Sequence, residues 1–138
     1  MAALVIDGKA SAARLRERIA AAAQTLKAVH SVTPGLATVL VGDDPASEVY
    51  VRTKGRTAQA LGFKSVHVAL AADTSQDTLH AKVRELNADK SVHGILVQLP
   101  LPRHLNENPM LDILDPAKDV DALTPANAGL LLAGRAHL

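Results

Sequence analysis

The sequence has no cysteine, no tryptophan, and only two aromatic residues, Tyr50 and Phe63. Without cysteine there are no disulfides, no thiolate nucleophile and no cysteine-built zinc cluster, which suits a reducing, cytoplasmic setting. With two aromatics there is no platform on which successive bases could stack. Charge of one sign is also missing: 15 Lys and Arg against 14 Asp and Glu leave a formal net charge of +1. That balance gives no electrostatic reason to expect a nucleic acid or an anionic membrane as partner. No apolar run approaches the roughly 18 residues of a membrane span. The N-terminus lacks a basic-then-apolar leader pattern, because Asp7 and Lys9 interrupt it. What remains is 138 residues that are 48% hydrophobic and 21% charged, the composition of one soluble globular domain.

Hydrophobic periodicity then orders the chain. In residues 9–30, Leu15, Ile19, Ala22, Leu26 and Val29 recur at steps of four and three, which predicts a helix with one apolar stripe. Pro34-Gly35 breaks it, and residues 36–41 read as a buried strand. Asp44 before Pro45 is a strong helix start, and that helix is expected to end near Gly62. Its apolar set is expected at Val49, Thr53, Ala60 and Leu61. Residues 64–70 and 94–99 read as two further strands, separated by a helix capped within Asp73–Ser75 and carrying Leu79, Val83 and Leu86 inward. Residues 105–114 are expected to form a short helix, 115–124 an irregular polar loop, and 125–132 a last helix. Strands alternating with helices predict a three-layer α/β domain with a parallel sheet and right-handed βαβ crossovers. No domain boundary is expected within residues 1–138.

Ligands of such sheets bind beyond the carboxyl ends of the strands. Three segments should converge there: Gly42 to Pro45, Gln98 to Pro102, and the loop around Asp119 and Asp121. Ser47, Tyr50 and Lys54 lie three and four residues apart and share a helical face. A lysine in a partly desolvated cleft can act as base or polarise an acceptor. It can equally belong to a solvated basic face with Arg52 and Arg56. Gln98 ends a very apolar strand and is either a satisfied structural amide or part of a site. The bonds preceding Pro100 and Pro102 have a raised chance of being cis, and a bend there would fix one wall of a cleft. Asp119 and Asp121 could form an acid–base pair or an ordinary charged loop. The six histidines (30, 67, 80, 93, 104 and 137) show no paired metal-ligand spacing, so no metal is expected. No glycine-rich nucleotide fingerprint is present either.

Five ordered segments carry a resemblance: V-I-D-G-K (5–9), V-L-V-G-D-D-P-A-S-E-V-Y-V-R-T-K (39–54), G-I-L-V-Q-L-P-L-P (94–102), P-A-K-D-V-D (116–121) and T-P-A-N-A-G (124–129). Together they resemble the bifunctional methylenetetrahydrofolate dehydrogenase/methenyltetrahydrofolate cyclohydrolases. The resemblance implies an N-terminal folate-binding catalytic domain with tetrahydrofolate derivatives as substrates. Lys54 then matches the family's essential lysine, Gln98 the glutamine that tunes it, and Tyr50 the tyrosine packed on the folate rings. Ser47, Leu99 and Pro100 match residues lining that pocket, and Asp121 matches the aspartate that holds the pterin. In the family a second, C-terminal Rossmann domain binds NADP or NAD and carries most homodimer contacts. No nicotinamide site and no family-type dimer are therefore expected from residues 1–138. The alternatives are a non-catalytic folate-binding module and a small α/β interaction domain. The sequence departs from the family at Ala122 and Leu123, where glycine and often an aromatic residue are common, and at Leu130, where arginine is common. If position 122 needs φ > 0, alanine there costs about 1 kcal/mol.

Overall fold

The computed structural model describes residues 5–135. The start of the N-terminal segment and His137 lie outside the described residues. Helix α1 (Gly8–His30) starts on an Asp7 cap, whose carboxylate accepts from the Ala10 amide. Strand β1 (Gly35–Val41) follows, then α2 (Pro45–Ala60), β2 (Lys64–Leu70), α3 (Gln76–Ala88) and β3 (Gly94–Val97). The chain closes with α4 (Glu107–Ile113) and α5 (Pro125–Leu132). Each helix from α2 onward has an Asp, Ser, Asn or Thr at its N-cap, and Pro45 and Pro125 sit where a missing N–H costs nothing. Gly62, at φ +87°, ends α2, and the Phe63 amide turns back onto the Ala58 carbonyl.

The three strands are parallel in the order β2-β1-β3, as the alternation predicts. The chain steps from β1 to β2 on one side, then crosses back over β1 to β3. Crossovers of one hand then place α2 and α3 on opposite faces of the sheet. The side chains agree. Ala37, Val39 and Val41 of β1 pack with Leu79, Val83 and Leu86 of α3, with Ile95 and Val97 of β3, and with Met110 of α4. Leu36 and Thr38 point the other way, toward α2, together with Ser65 and His67 of β2.

Four expectations need correction. Strand β3 ends at Val97 rather than Leu99, although the Gln98 amide still donates to the Val39 carbonyl at 2.8 Å. The next residues turn away at Pro100, which has no amide to donate. The inner face of α2 is Ser47, Val51 and Ala58, while Val49 and Thr53 are exposed. A helix lying this close to a sheet takes small and β-branched side chains on its contact face. The stripe on α1 is mostly uncovered: Leu15 is 53% and Val29 67% exposed, and only Ala23 is buried. Periodicity records which face can be buried, not what covers it. Finally, the 115–124 loop is not wholly irregular, because Asp119 forms a parallel bridge with Ile95.

Candidate functional site

Strand order reverses direction at β1, and the carboxyl ends of β1 and β3 are where ligands of such sheets bind. Gln98 is the first residue past β3, and its backbone is fixed there by the bond to Val39. Its side-chain Nε2 donates to the Leu99 carbonyl at 2.7 Å, which leaves Oε1 facing outward. That oxygen accepts from Lys54 Nζ at 3.1 Å. The amide orientation follows from the network, since only the oxygen can receive a lysine hydrogen.

Lys54 is carried on the inner stripe of α2, in line with Ser47, Val51 and Ala58 at helical spacing. It is half-buried. Its aliphatic stem lies along an apolar cavity of about 330 Å³ lined by Ile19, Leu36, Ala58, Leu61 and Phe63. The amine end therefore emerges from apolar surroundings at the place where Gln98 receives it. Arg52 and Arg56 do not share this setting. Both are exposed, and Arg52 pairs with Glu48 at 3.0 Å, a solvated ion pair of small worth.

Of the other sequence-predicted residues, only Leu99 bonds to this pair, through its carbonyl. Ser47 is buried, and its amide donates to Asp44 Oδ2 at 2.8 Å. The Ser47 amide and hydroxyl hold the Asp44 carboxyl below the usual carboxylate range. Tyr50 is 63% exposed, one turn before Lys54. Leu99 is half-buried, Pro100 is exposed, and the bond between them is cis. Asp121 is exposed, and among the described residues no hydrogen bond engages its carboxylate. The structure thus joins Lys54 to Gln98 and Leu99, and leaves Tyr50 and Asp121 on open surface.

Asp119 and Asp121 do not form an acid–base pair. Asp119 is committed to backbone amides instead, and Lys118 caps the end of α3. Sequence reasoning also missed Thr124 and Asn127, which close this loop around Asp119. The available signal was T-P-A-N, an N-cap threonine three residues before an asparagine, which reads as a helix start and nothing more. Ala122 has φ +55°, the left-handed backbone that favours glycine. Gly94 shows why the loop comes so near β3: a Cβ there would stand 2.6 Å from Val120 Cγ1.

The N-terminus of α2, the natural seat for a pyrophosphate after β1, already holds the Asp44 carboxylate. No group of three or more His, Asp or Glu side chains suited to a metal occurs among the described residues, and no described helix is long and apolar enough to cross a membrane.

Known proteins place this geometry. The chain is 56% identical over 134 residues to the bifunctional protein FolD of Rhodopseudomonas palustris strain HaA2, covering 97% of this chain and 45% of that protein. It is 56% identical over 135 residues to FolD 1/3 of Ruegeria pomeroyi, covering 98% and 46%. The chain thus spans about half the length of the curated relatives it matches. Among solved structures, the Campylobacter jejuni FolD methylenetetrahydrofolate dehydrogenase/cyclohydrolase superposes with a TM-score of 0.90 at 42% identity, over 93% of this chain and 45% of that one. The Trypanosoma brucei enzyme, solved with NADP and an inhibitor, gives 0.91 at 36% identity, over 98% and 46%. Residues 6–121 match the family described as tetrahydrofolate dehydrogenase/cyclohydrolase, catalytic domain, and with a lysine held by a strand-end glutamine at the switch point of the same fold, this chain belongs to that family.

Proposed function

We propose that residues 1–138 act as the N-terminal folate-binding catalytic domain of a methylenetetrahydrofolate dehydrogenase/methenyltetrahydrofolate cyclohydrolase. The reaction would be the NADP-dependent oxidation of methylenetetrahydrofolate and the hydrolysis of the methenyl product to 10-formyltetrahydrofolate, in the cytoplasm. One observation carries the reading: Lys54 Nζ lies 3.1 Å from Gln98 Oε1 at the switch point of the sheet.

In the hydrolytic step, water adds to the cationic methenyl carbon that bridges two folate nitrogens. A C–O bond forms, one C–N bond then breaks, and one proton is released. Lys54, as the neutral amine, would take the proton from the attacking water and return it to the departing nitrogen. Gln98 spends its oxygen on one lysine hydrogen and so sets the direction of the remaining positions on Nζ. Its partner is a neutral amide rather than a carboxylate, so the lysine is not bound into an ion pair. Tyr50, Ser47, Leu99 and Pro100 would flank the folate rings, and Asp121 would receive the pterin's N–H groups. The hydride step, the NADP or NAD site and family-type homodimerisation are assigned to the nucleotide-binding domain of the full-length family enzyme, not to these residues.

The test follows methenyltetrahydrofolate by its near-ultraviolet absorbance. The wild-type chain is expected to speed its loss over buffer, and Lys54→Ala to return it to the buffer rate. Equal rates for the two proteins would refute the assignment of Lys54. Binding of a reduced folate without turnover would instead favour a non-catalytic folate module, a reading that Ala122 in left-handed backbone beside Asp121 motivates.

A further inference from the structure

The loop at 115–124 is fastened before it reaches Asp121. Lys118 Nζ donates to the carbonyls of Leu86, Asn87 and Asp89 at 3.1, 2.7 and 2.8 Å, at the end of α3. The Lys118 carbonyl accepts from the Ile95 amide at 2.7 Å. The bridge that follows, Ile95 with Asp119, is parallel, so the chain heads toward the sheet edge that carries Gln98.

Asp119 then gathers the next five residues around itself. One carboxylate oxygen accepts from the amides of Asp121 and Leu123, each at 3.3 Å. The other accepts from the Thr124 amide at 2.8 Å and from Asn127 Nδ2 at 3.1 Å. A carboxylate offers about four acceptor positions, and all of them are taken. Burial pushes the Asp119 carboxyl up, but the hydrogen bonds from Thr124, Leu123 and Asn127 outweigh it and hold the group below its ordinary value. Inside this wrap lies Ala122, in left-handed backbone with no glycine to ease it. Asp121 stands just before that turn, exposed, with no partner for its carboxylate among the described residues. The turn therefore sets where Asp121 points, and the Asp119 carboxylate sets the turn.

We infer that Asp119 is a positioning residue: by holding the 121–124 backbone, it presents the Asp121 carboxylate to the ligand bound beside Lys54 and Gln98. The inference rests on the folate reading and adds a residue to it. It assigns the two aspartates separate tasks, one spent on the protein and one left for the ligand.

The experiment is a thermodynamic cycle on the whole chain, with 5-formyltetrahydrofolate as probe and calorimetry as readout. Asp119→Asn keeps the shape but replaces one acceptor oxygen with a donor. It is expected to weaken the probe by about tenfold. Asp121→Ala is expected to weaken it at least as much, and the double variant no more than Asp121→Ala alone. Additive losses, or unchanged affinity in Asp119→Asn, would overturn the inference while wild-type binding leaves the folate reading standing. A wild-type chain that ignores the probe overturns both. Amide exchange gives a second readout: Leu123 and Thr124 should lose protection in Asp119→Asn while Ile95 keeps its own, and unchanged protection overturns the inference. Should Asp119→Asn fail to fold, Asn127→Ala removes one donor and leaves the carboxylate. It is expected to weaken the probe about twofold, again only while Asp121 is present.

Discussion

The two faces of the sheet are built to different rules. Toward α3 and α4, β1 contributes Ala37, Val39 and Val41, and the layer above answers with Leu79, Val83, Leu86 and Met110, almost without solvent. Toward α2, the same strand contributes Leu36 and Thr38, and the layer above answers with serine, valine, alanine and a lysine. Beyond α2, the apolar stripe of α1 is largely uncovered. One face has spent its hydrophobic surface on stability. The other has kept polar groups and free surface, and it holds the contact between Lys54 and Gln98. The packed core and the proposed site therefore lie on opposite sides of a single layer of backbone.

The largest effect expected from breaking this comparison is on the working face. Lys54→Ala should lower methenyl hydrolysis by about 10²- to 10⁴-fold, with a melting temperature close to wild type. A large loss of stability instead would show that Lys54 belongs to the scaffold. The counterpart on the packed face is Leu79→Ala, which is fully buried and should cost about 2–5 kcal/mol in denaturant unfolding. The Asp119 loop sits between these cases. Its carboxyl is held below the ordinary carboxylate value in the folded chain, so its contribution is complete above that value. The contribution is lost as pH falls from about 4 through the lowered folded pKa. Amide protection at Thr124 should follow the same course, and Asp119→Asn should flatten it. Ala122→Gly should stabilise by about 1 kcal/mol, since glycine meets no Cβ penalty at φ +55°. The smallest effect is expected at α1: Leu15→Ser should change unfolding by under about 0.5 kcal/mol in this chain. A larger loss would mean that the stripe is covered in solution.

Much of this was legible in the sequence. The strands, the Asp44-Pro45 start, the Gly62 stop and the inward set on α3 all follow from local rules, because each is decided by residues within a few positions. The placement of Lys54 on the helix after one strand end and of Gln98 at another strand end was legible, but their hydrogen bond was not, since it joins residues 44 apart. The inner face of α2 was misread for a related reason. Ser47 and Ala58 carry little hydrophobicity, and only the nearness of the sheet makes them the buried side. The double role of the Lys118-Asp119 pair escaped entirely, because a charged loop looks the same whether its charges face water or backbone.

Gln98 belongs to two structures at once. Its main chain continues the β1–β3 ladder, and its side chain grips Lys54. The grip is thus anchored on the β1–β3 ladder, while Tyr50, one turn before Lys54, rides on open surface. On the proposed folate reading, a change of ligand on the exposed Tyr50 side would leave the anchored Lys54–Gln98 contact undisturbed. On that reading, substitutions meant to alter what is bound belong at Tyr50, and those meant to alter what is done to it belong at Gln98.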